Sequence, residues 1–288
     1  MKGAENVAQR RIERLLVIAG AGDYPRFVVE GARKAGVPTV DVVNVLGSTA
    51  RATRRAGDKV IPFSVGKTAS GIKMLSSLGY DGAIMAGQIN PLSLFRTRFE
   101  KQVLEWLKAM PAKNAHSIYG KVVEEFTKAG LEILPASSYM DEHCPGEGLL
   151  SAREPTEREM ADIRHASKVA RDIGRHDVGQ TVLVKEGMVV AVEAFEGTNA
   201  AIKRGGRLGG KGAVVFKAAR EGHDMRFDIP VVGLKTLKVM KSAGVSALAF
   251  QAGRLILLDA PRVIDYANRH SIAIVGVKTD LPPAPLRP

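Results

Sequence analysis

The chain has 288 residues, 45% of them apolar and 25% charged, with a formal net charge of +12. That balance is globular, leaves room for one large core or two ordinary ones, and excludes a low-complexity chain. Aromatic residues make up only 5%, too few for a base-stacking surface, and the single cysteine, Cys144, excludes an intrachain disulfide. The basic excess attracts anions, whether nucleic acid, phosphorylated small molecules or lipid headgroups. The first apolar run, residues 15–19, is too short for the core of a signal peptide, and no run approaches the roughly 18–20 apolar residues of a membrane span. A cytoplasmic protein is expected, at most attached peripherally to a membrane surface.

In chain order, residues 15–19 read as a buried strand, followed by the turn A-G-A-G-D-Y-P and a helix to about residue 35. Strands are expected at 39–45, 59–63, 82–86 and 131–134, with helices at 68–78, 93–109 and 115–129. Alternation of this kind implies a parallel sheet covered on both faces. Residues 135–155 crowd Ser, Gly, Pro and Glu together and read as a linker.

The second half opens with a helix from Pro155 to about residue 173. Two apolar runs, 180–184 and 188–193, flank Lys185-Glu186-Gly187 and predict a hairpin. The stretch R-G-G-R-L-G-G-K-G, residues 204–212, reads as a basic loop, either an anion-binding lid or a plain insertion, because a glycine-rich backbone has few side chains to bury. Strands at 213–216, 247–250, 255–258 and 272–277 and helices at 234–243 and 260–270 complete the chain. The expected fold is two α/β domains, residues 1–135 with a Rossmann-like parallel sheet and residues 156–288 catalytic. The linker 136–155 joins them, with the active-site cleft between.

The segment E-G-H-D-M-R-F-D-I-P, residues 221–230, concentrates the chemistry. Read as extended, it places Asp224, Arg226 and Asp228 on one face and Met225 and Phe227 on the other. Two carboxylates around a guanidinium suit a divalent metal beside a phosphate, and they equally suit a solvated edge strand whose charges pair. Lys217 ends the strand leading there and is placed to bind phosphate. Glu193 and Glu196, beside the Gly-Thr turn at Thr198, read either as partners of the acidic segment or as a strand end and helix cap. Gly20 and Gly22 precede a helix N-terminus that favours anions, although Pro25 replaces the third glycine of a dinucleotide fingerprint. The scattered histidines offer no zinc spacing.

Taken in order, L-L-V-I-A-G-A-G-D-Y-P, M-A-G-Q-I-N-P, A-D-I-R-H-A-S-K-V-A-R-D-I-G-R-H-D-V-G-Q, V-V-A-V-E-A-F-E-G-T-N, V-F-K-A, M-R-F-D-I-P-V-V-G and A-G-R-L-I-L-L-D resemble the LpxI-type UDP-2,3-diacylglucosamine pyrophosphatases. The resemblance implies hydrolysis of UDP-2,3-diacylglucosamine to UMP and 2,3-diacylglucosamine 1-phosphate in lipid A synthesis, with Mg²⁺ or another divalent cation. It implies Asp228, in the pattern R-x-D-x-P, as the essential aspartate, with Arg226 beside it. Substrate contacts are then expected from Lys217, Gly20, Gly22, Gln180, Thr198 and Asn199, and metal ligands from Asp228, Glu193, Glu196 and Asp224. The implied partner is a lipid-linked UDP-sugar met at the inner-membrane surface rather than nucleic acid, and a homodimer is left open. The chain departs from the family pattern at Lys113-Asn114, where an acidic pair is common, and at Asn199, where G-T-D is usual. Two alternatives stand beside this reading: a hydrolase of another nucleotide sugar or phospholipid-like substrate, and a non-catalytic nucleotide- or nucleic-acid-binding module.

Overall fold

The computed structural model describes residues 11–88, 97–110, 114–176, 178–219 and 224–278. Lys113, His223 and the start of the helix expected from residue 93 lie outside these. The chain divides into two units, Met1–Tyr139 and Met140–Pro288.

In the first unit, β1 (Arg14–Ala19), β2 (Thr39–Val45), β3 (Val60–Phe63) and β4 (Gly82–Ala86) form an all-parallel sheet in the order β3-β2-β1-β4. Parallel strands buried on both faces read as continuous apolar runs, and Leu15 to Ala19 are all buried. The crossovers carry α1 (Tyr24–Lys34), α2 (Arg51–Ala56) and α3 (Thr68–Ser76). Two more helices follow, α4 (Lys101–Ala109) and α5 (Ala115–Lys128), the latter capped by Asn114, whose side chain accepts from the Ser117 N–H. The short helix α2 was not expected, and the strand expected at 131–134 is only an isolated bridge from Ile133 to Ala83.

The second unit is built on a six-stranded sheet in the order β5-β12-β10-β8-β6-β7. Its strands are β5 (Gly148–Leu149), β6 (Thr181–Lys185), β7 (Met188–Val192), β8 (Val214–Lys217), β10 (Ala247–Gln251) and β12 (Ala273–Val277). The central strands β8, β10 and β12 are parallel, and β6, β7 and β5 add antiparallel pairings at the two edges. The stretch expected to be a linker is therefore part of the second unit from Met140 onward and supplies its edge strand. A separate pair, β9 (Val231–Val232) and β11 (Ile256–Leu257), is also parallel.

Alternate residues of this sheet pack in opposite directions. Val182, Val184, Val214, Phe216, Ala247 and Ala249 meet α6 (Glu157–Gly174) through Ile163, Ala166 and Ala170. Leu183, Val215, Leu248, Phe250 and Ile274 meet α7 (Thr198–Gly209), α8 (Leu234–Ser242) and α9 (Ala260–Arg269). Thr156 and Glu159 close a reciprocal capping box at the start of α6. Further along α6, the Asp162 carboxylate accepts from the Glu186 and Gly187 N–H groups at 2.9 and 2.7 Å and fixes the expected hairpin turn.

The expectation of a basic loop at residues 204–212 is overturned. Residues up to Gly209 form the second half of α7, and the glycines are there for close packing. A Cβ on Gly205 would stand 2.6 Å from Leu183 Cδ2, and one on Gly206 would stand 2.3 Å from the Ala243 carbonyl oxygen. The missing side chains let α7 lie directly on the sheet and against the end of α8. No helix among the described residues is long and apolar enough to cross a membrane.

Candidate active site

Several of the candidate residues of the second unit, Lys217, Thr198, Glu193, Gln180 and Asp228, lie near the carboxyl end of β8. Ligands of open α/β sheets commonly bind at such strand ends. Lys217 is the last residue of β8 and points the way of Val215, toward the face covered by α7. It is only 4% exposed. Its Nζ donates to Thr198 Oγ1 at 2.6 Å, and Thr198 Oγ1 in turn donates to Glu193 Oε1 at 2.9 Å. Burial pushes the Lys217 ammonium below its ordinary range, while the charges of Glu193 and Asp228 push it back up. A buried cation so placed needs anionic neighbours, and these two carboxylates supply them.

Asp228 is held from the other side. Gln180, just before β6, donates from Nε2 to Asp228 Oδ1 at 2.7 Å. The backbone of Gln180 is itself fixed, because its carbonyl accepts from the Ala218 N–H at 3.0 Å immediately beyond Lys217. Gln180, Lys217 and Asp228 are thus tied to one corner of the sheet, with Thr198 and Glu193 adjoining.

The extended reading of the acidic segment is overturned. Residues 225–227 form a turn, with the Phe227 and Asp228 N–H groups both donating to the Asp224 carbonyl, at 3.2 and 3.0 Å. The Asp224 side chain accepts from the Arg226 N–H at 3.0 Å, and the Arg226 guanidinium grips the same carboxylate through Nε at 2.8 Å and Nη2 at 2.6 Å. That pairing raises the Arg226 pKa further. The alternation of charges therefore does not make a common face: Asp224 and Arg226 engage each other, while Asp228 joins Gln180 and Lys217.

The expected metal ligands separate in the same way. Glu196 pairs with Arg204 at 2.5 Å, which lowers its pKa, and accepts from the Ala194 N–H. Asp224 is taken by Arg226. Glu193 and Asp228 remain beside Lys217, and among the described residues no group of three or more His, Cys, Asp or Glu is arranged to hold a metal. Mg²⁺ does not demand such a group, since it is commonly held by one or two carboxylates together with water and substrate phosphates. Two oxygens are of the type that role needs: among the described residues, Glu193 Oε2 and Asn199 Oδ1 are buried without a hydrogen-bond partner. Both are hard donors on the segment that carries Thr198, the donor type that a hard divalent cation takes.

Gly20 and Gly22 lie in the first unit, after β1. A Cβ on Gly20 would come within 2.6 Å of the Gln88 carbonyl oxygen, so close backbone packing alone accounts for that glycine. Gly22 has φ +93° with open space around it, as a left-handed turn requires. Sequence reasoning missed Thr181, which lies opposite Lys217 in the β6–β8 pair and, among the described residues, has a buried hydroxyl without a partner. Its signal was a polar residue opening the apolar run 182–184.

A two-unit α/β protein with a buried lysine between carboxylates at a strand end has the build of a protein that handles anionic ligands. Comparison with known proteins is specific. The LpxI N-terminal domain matches residues 14–143 and the LpxI C-terminal domain matches residues 146–275. The UDP-2,3-diacylglucosamine pyrophosphatase LpxI of Caulobacter vibrioides is 33% identical over 224 residues, covering 74% of this chain and 80% of that protein. The chain belongs to the LpxI family.

Among solved structures, the biotin carboxylase domain of Hydrogenobacter thermophilus 2-oxoglutarate carboxylase aligns at 12% identity with a TM-score of 0.28, over 62% of this chain. An L-amino acid ligase from Bacillus licheniformis aligns at 12% and 0.27, over 65%. This chain covers only 36% and 40% of those two proteins, and scores so low bear on neither fold nor function.

Proposed function

We propose that this protein hydrolyses the pyrophosphate of UDP-2,3-diacylglucosamine at the corner formed by Lys217, Asp228 and Glu193, in the synthesis of lipid A. Water attacks one phosphorus, the bond from that phosphorus to the bridging oxygen breaks, and UMP and 2,3-diacylglucosamine 1-phosphate leave. The observation that carries the reading is the buried Lys217, set between two carboxylates in a chain one-third identical to the Caulobacter vibrioides pyrophosphatase.

Lys217 neutralises charge that builds on the phosphate oxygens, and in a site shielded from water that stabilisation is large. Asp228, held by Gln180, takes the proton of the attacking water. Glu193 and Asn199 would hold a divalent cation through their unpartnered oxygens. When bound, the cation supplies Lewis-acid polarisation of a phosphoryl oxygen. Arg226, whose Nε and Nη2 are engaged by Asp224, would offer its other N–H groups to the substrate as a second phosphate ligand.

A lipid substrate places the protein at the cytoplasmic face of a membrane, and the net charge of +12 supports transient contact with an anionic surface. The test is UMP release from UDP-2,3-diacylglucosamine with Mg²⁺, with EDTA, and with Mg²⁺ restored, beside a panel of UDP-sugars that lack acyl chains. Metal-dependent release from the diacylated substrate is expected, with the unacylated sugars slower by at least about tenfold, the discrimination that lost apolar contacts provide. Folded protein that releases no UMP, or prefers an unacylated sugar, would overturn the assignment.

A further inference from the structure

We propose that Thr198 is a positioning residue, which sets the Lys217 ammonium through a hydroxyl engaged on both sides. This rests on the reading of Lys217 as the cation that meets the pyrophosphate. A hydroxyl has one proton to give. Thr198 gives it to Glu193 Oε1 at 2.9 Å, so its lone pairs receive Lys217 Nζ at 2.6 Å, and the order Lys217 to Thr198 to Glu193 has a fixed direction. With its proton committed to Glu193, the hydroxyl is not a donor to a phosphate. The expectation that Thr198 contacts substrate therefore gives way to a role exerted through its neighbour.

The two ends of this link are rigid. Lys217 closes β8, which is paired on both sides, by β6 and β10. Thr198 opens α7 just after Gly197, whose φ of +80° turns the chain into the helix. Between them runs the long lysine side chain, with four rotatable bonds leading to the ammonium. Among the described residues Thr198 is the hydrogen-bond partner of Nζ. Its hydroxyl selects one rotamer of a long side chain and leaves the remaining N–H groups for an incoming anion. Productive geometry at such sites depends on support of this kind.

The experiment compares Thr198→Val, which keeps the shape and removes the hydroxyl, with Thr198→Ser, which keeps the hydroxyl. UMP release is measured on the full chain, and the Lys217 ammonium is followed by ¹⁵N NMR, with Lys217→Met identifying its resonance. In Thr198→Val, kcat is expected to fall by about 10- to 100-fold, the usual cost of losing support behind a reactive group, with KM within about threefold. Thr198→Ser should recover most of the loss. The ammonium resonance should be sharp in wild type and Thr198→Ser and shifted or exchange-broadened in Thr198→Val. If the valine variant does not fold, Thr198→Ala takes its place. Unchanged kcat and unchanged resonance would overturn the proposal, as would a rise in KM alone, which would make Thr198 a substrate contact. Wild-type protein without UMP release, but with the resonance responding as described, would overturn the reaction assigned above while leaving the Thr198–Lys217 link in place.

Discussion

The Gln180 amide and the Asp228 carboxylate, 48 residues apart in sequence, are joined by a 2.7 Å hydrogen bond at the corner where β6 and β8 pair. The bond helps to orient the carboxylate, and Gln180 is also anchored through its own carbonyl to the Ala218 N–H. Gln180 was expected to touch substrate; in the structure its side-chain amide donates to Asp228.

Gln180→Ala should therefore lower kcat by about tenfold with little change in KM, as loss of an orienting partner does. Gln180→Glu should cost more, because it sets a second carboxylate against Asp228. Steady-state kinetics of UMP release check both, and a Gln180→Ala protein with raised KM and wild-type kcat would return Gln180 to the substrate contacts.

A second prediction concerns stability and pH. Burial pushes the Glu159 carboxyl up, but Arg153, Ser246 and the Thr156 N–H together outweigh it and hold it at about 2. Arg153 binds both oxygens, at 2.8 and 3.0 Å. The folded value lies below the ordinary 4.5, so the native state binds fewer protons and the stabilisation is fully present above pH 4.5. It fades as pH falls from 4.5 toward 2. Glu159→Gln should cost about 2 kcal/mol at pH 7, discounted for the partial solvation of Arg153, and the difference from wild type should shrink across that acid window. Urea unfolding from pH 7 down to 2.5 measures it; a difference that stays constant with pH would contradict the account.

The third prediction turns on the sign of a glycine substitution. By helix propensity alone, Gly206→Ala should stabilise α7 by about 1 kcal/mol. The new Cβ would sit 2.3 Å from the Ala243 carbonyl oxygen and 2.6 Å from Ala243 Cβ, so α7 and α8 would have to separate. A net loss of about 1–3 kcal/mol is expected, the usual cost of overpacking. Chemical denaturation decides it, and a more stable variant would show that the helices part easily.

That glycine cluster also marks where sequence reading stops. The apolar runs of β1, β2 and β4 and the hairpin at Glu186-Gly187 were legible, because burial on both faces and a tight turn leave local signatures. The identity of α7 was not, since Gly205 and Gly206 are there for partners on β6 and α8 that only the fold brings near. The turn at residues 225–227 was hidden for a different reason. Alternating charges imitate a strand, yet the Asp224 side chain bonds the Arg226 backbone and bends the chain locally. Glu196 looked available as a ligand until α7 proved helical, which brings Arg204 to it. Asp228, Lys217 and Glu193 were legible as chemistry, and their grouping around one buried ammonium came from the sheet.

The most direct measurement is UMP release from UDP-2,3-diacylglucosamine by wild type, Asp228→Ala and Lys217→Met, each first checked for native circular dichroism. Turnover by wild type and a loss of at least about 10²-fold in both variants is the predicted result, the scale of removing one transition-state stabiliser. Folded variants that keep near wild-type rates would contradict it and place the chemistry away from the Lys217–Asp228 corner.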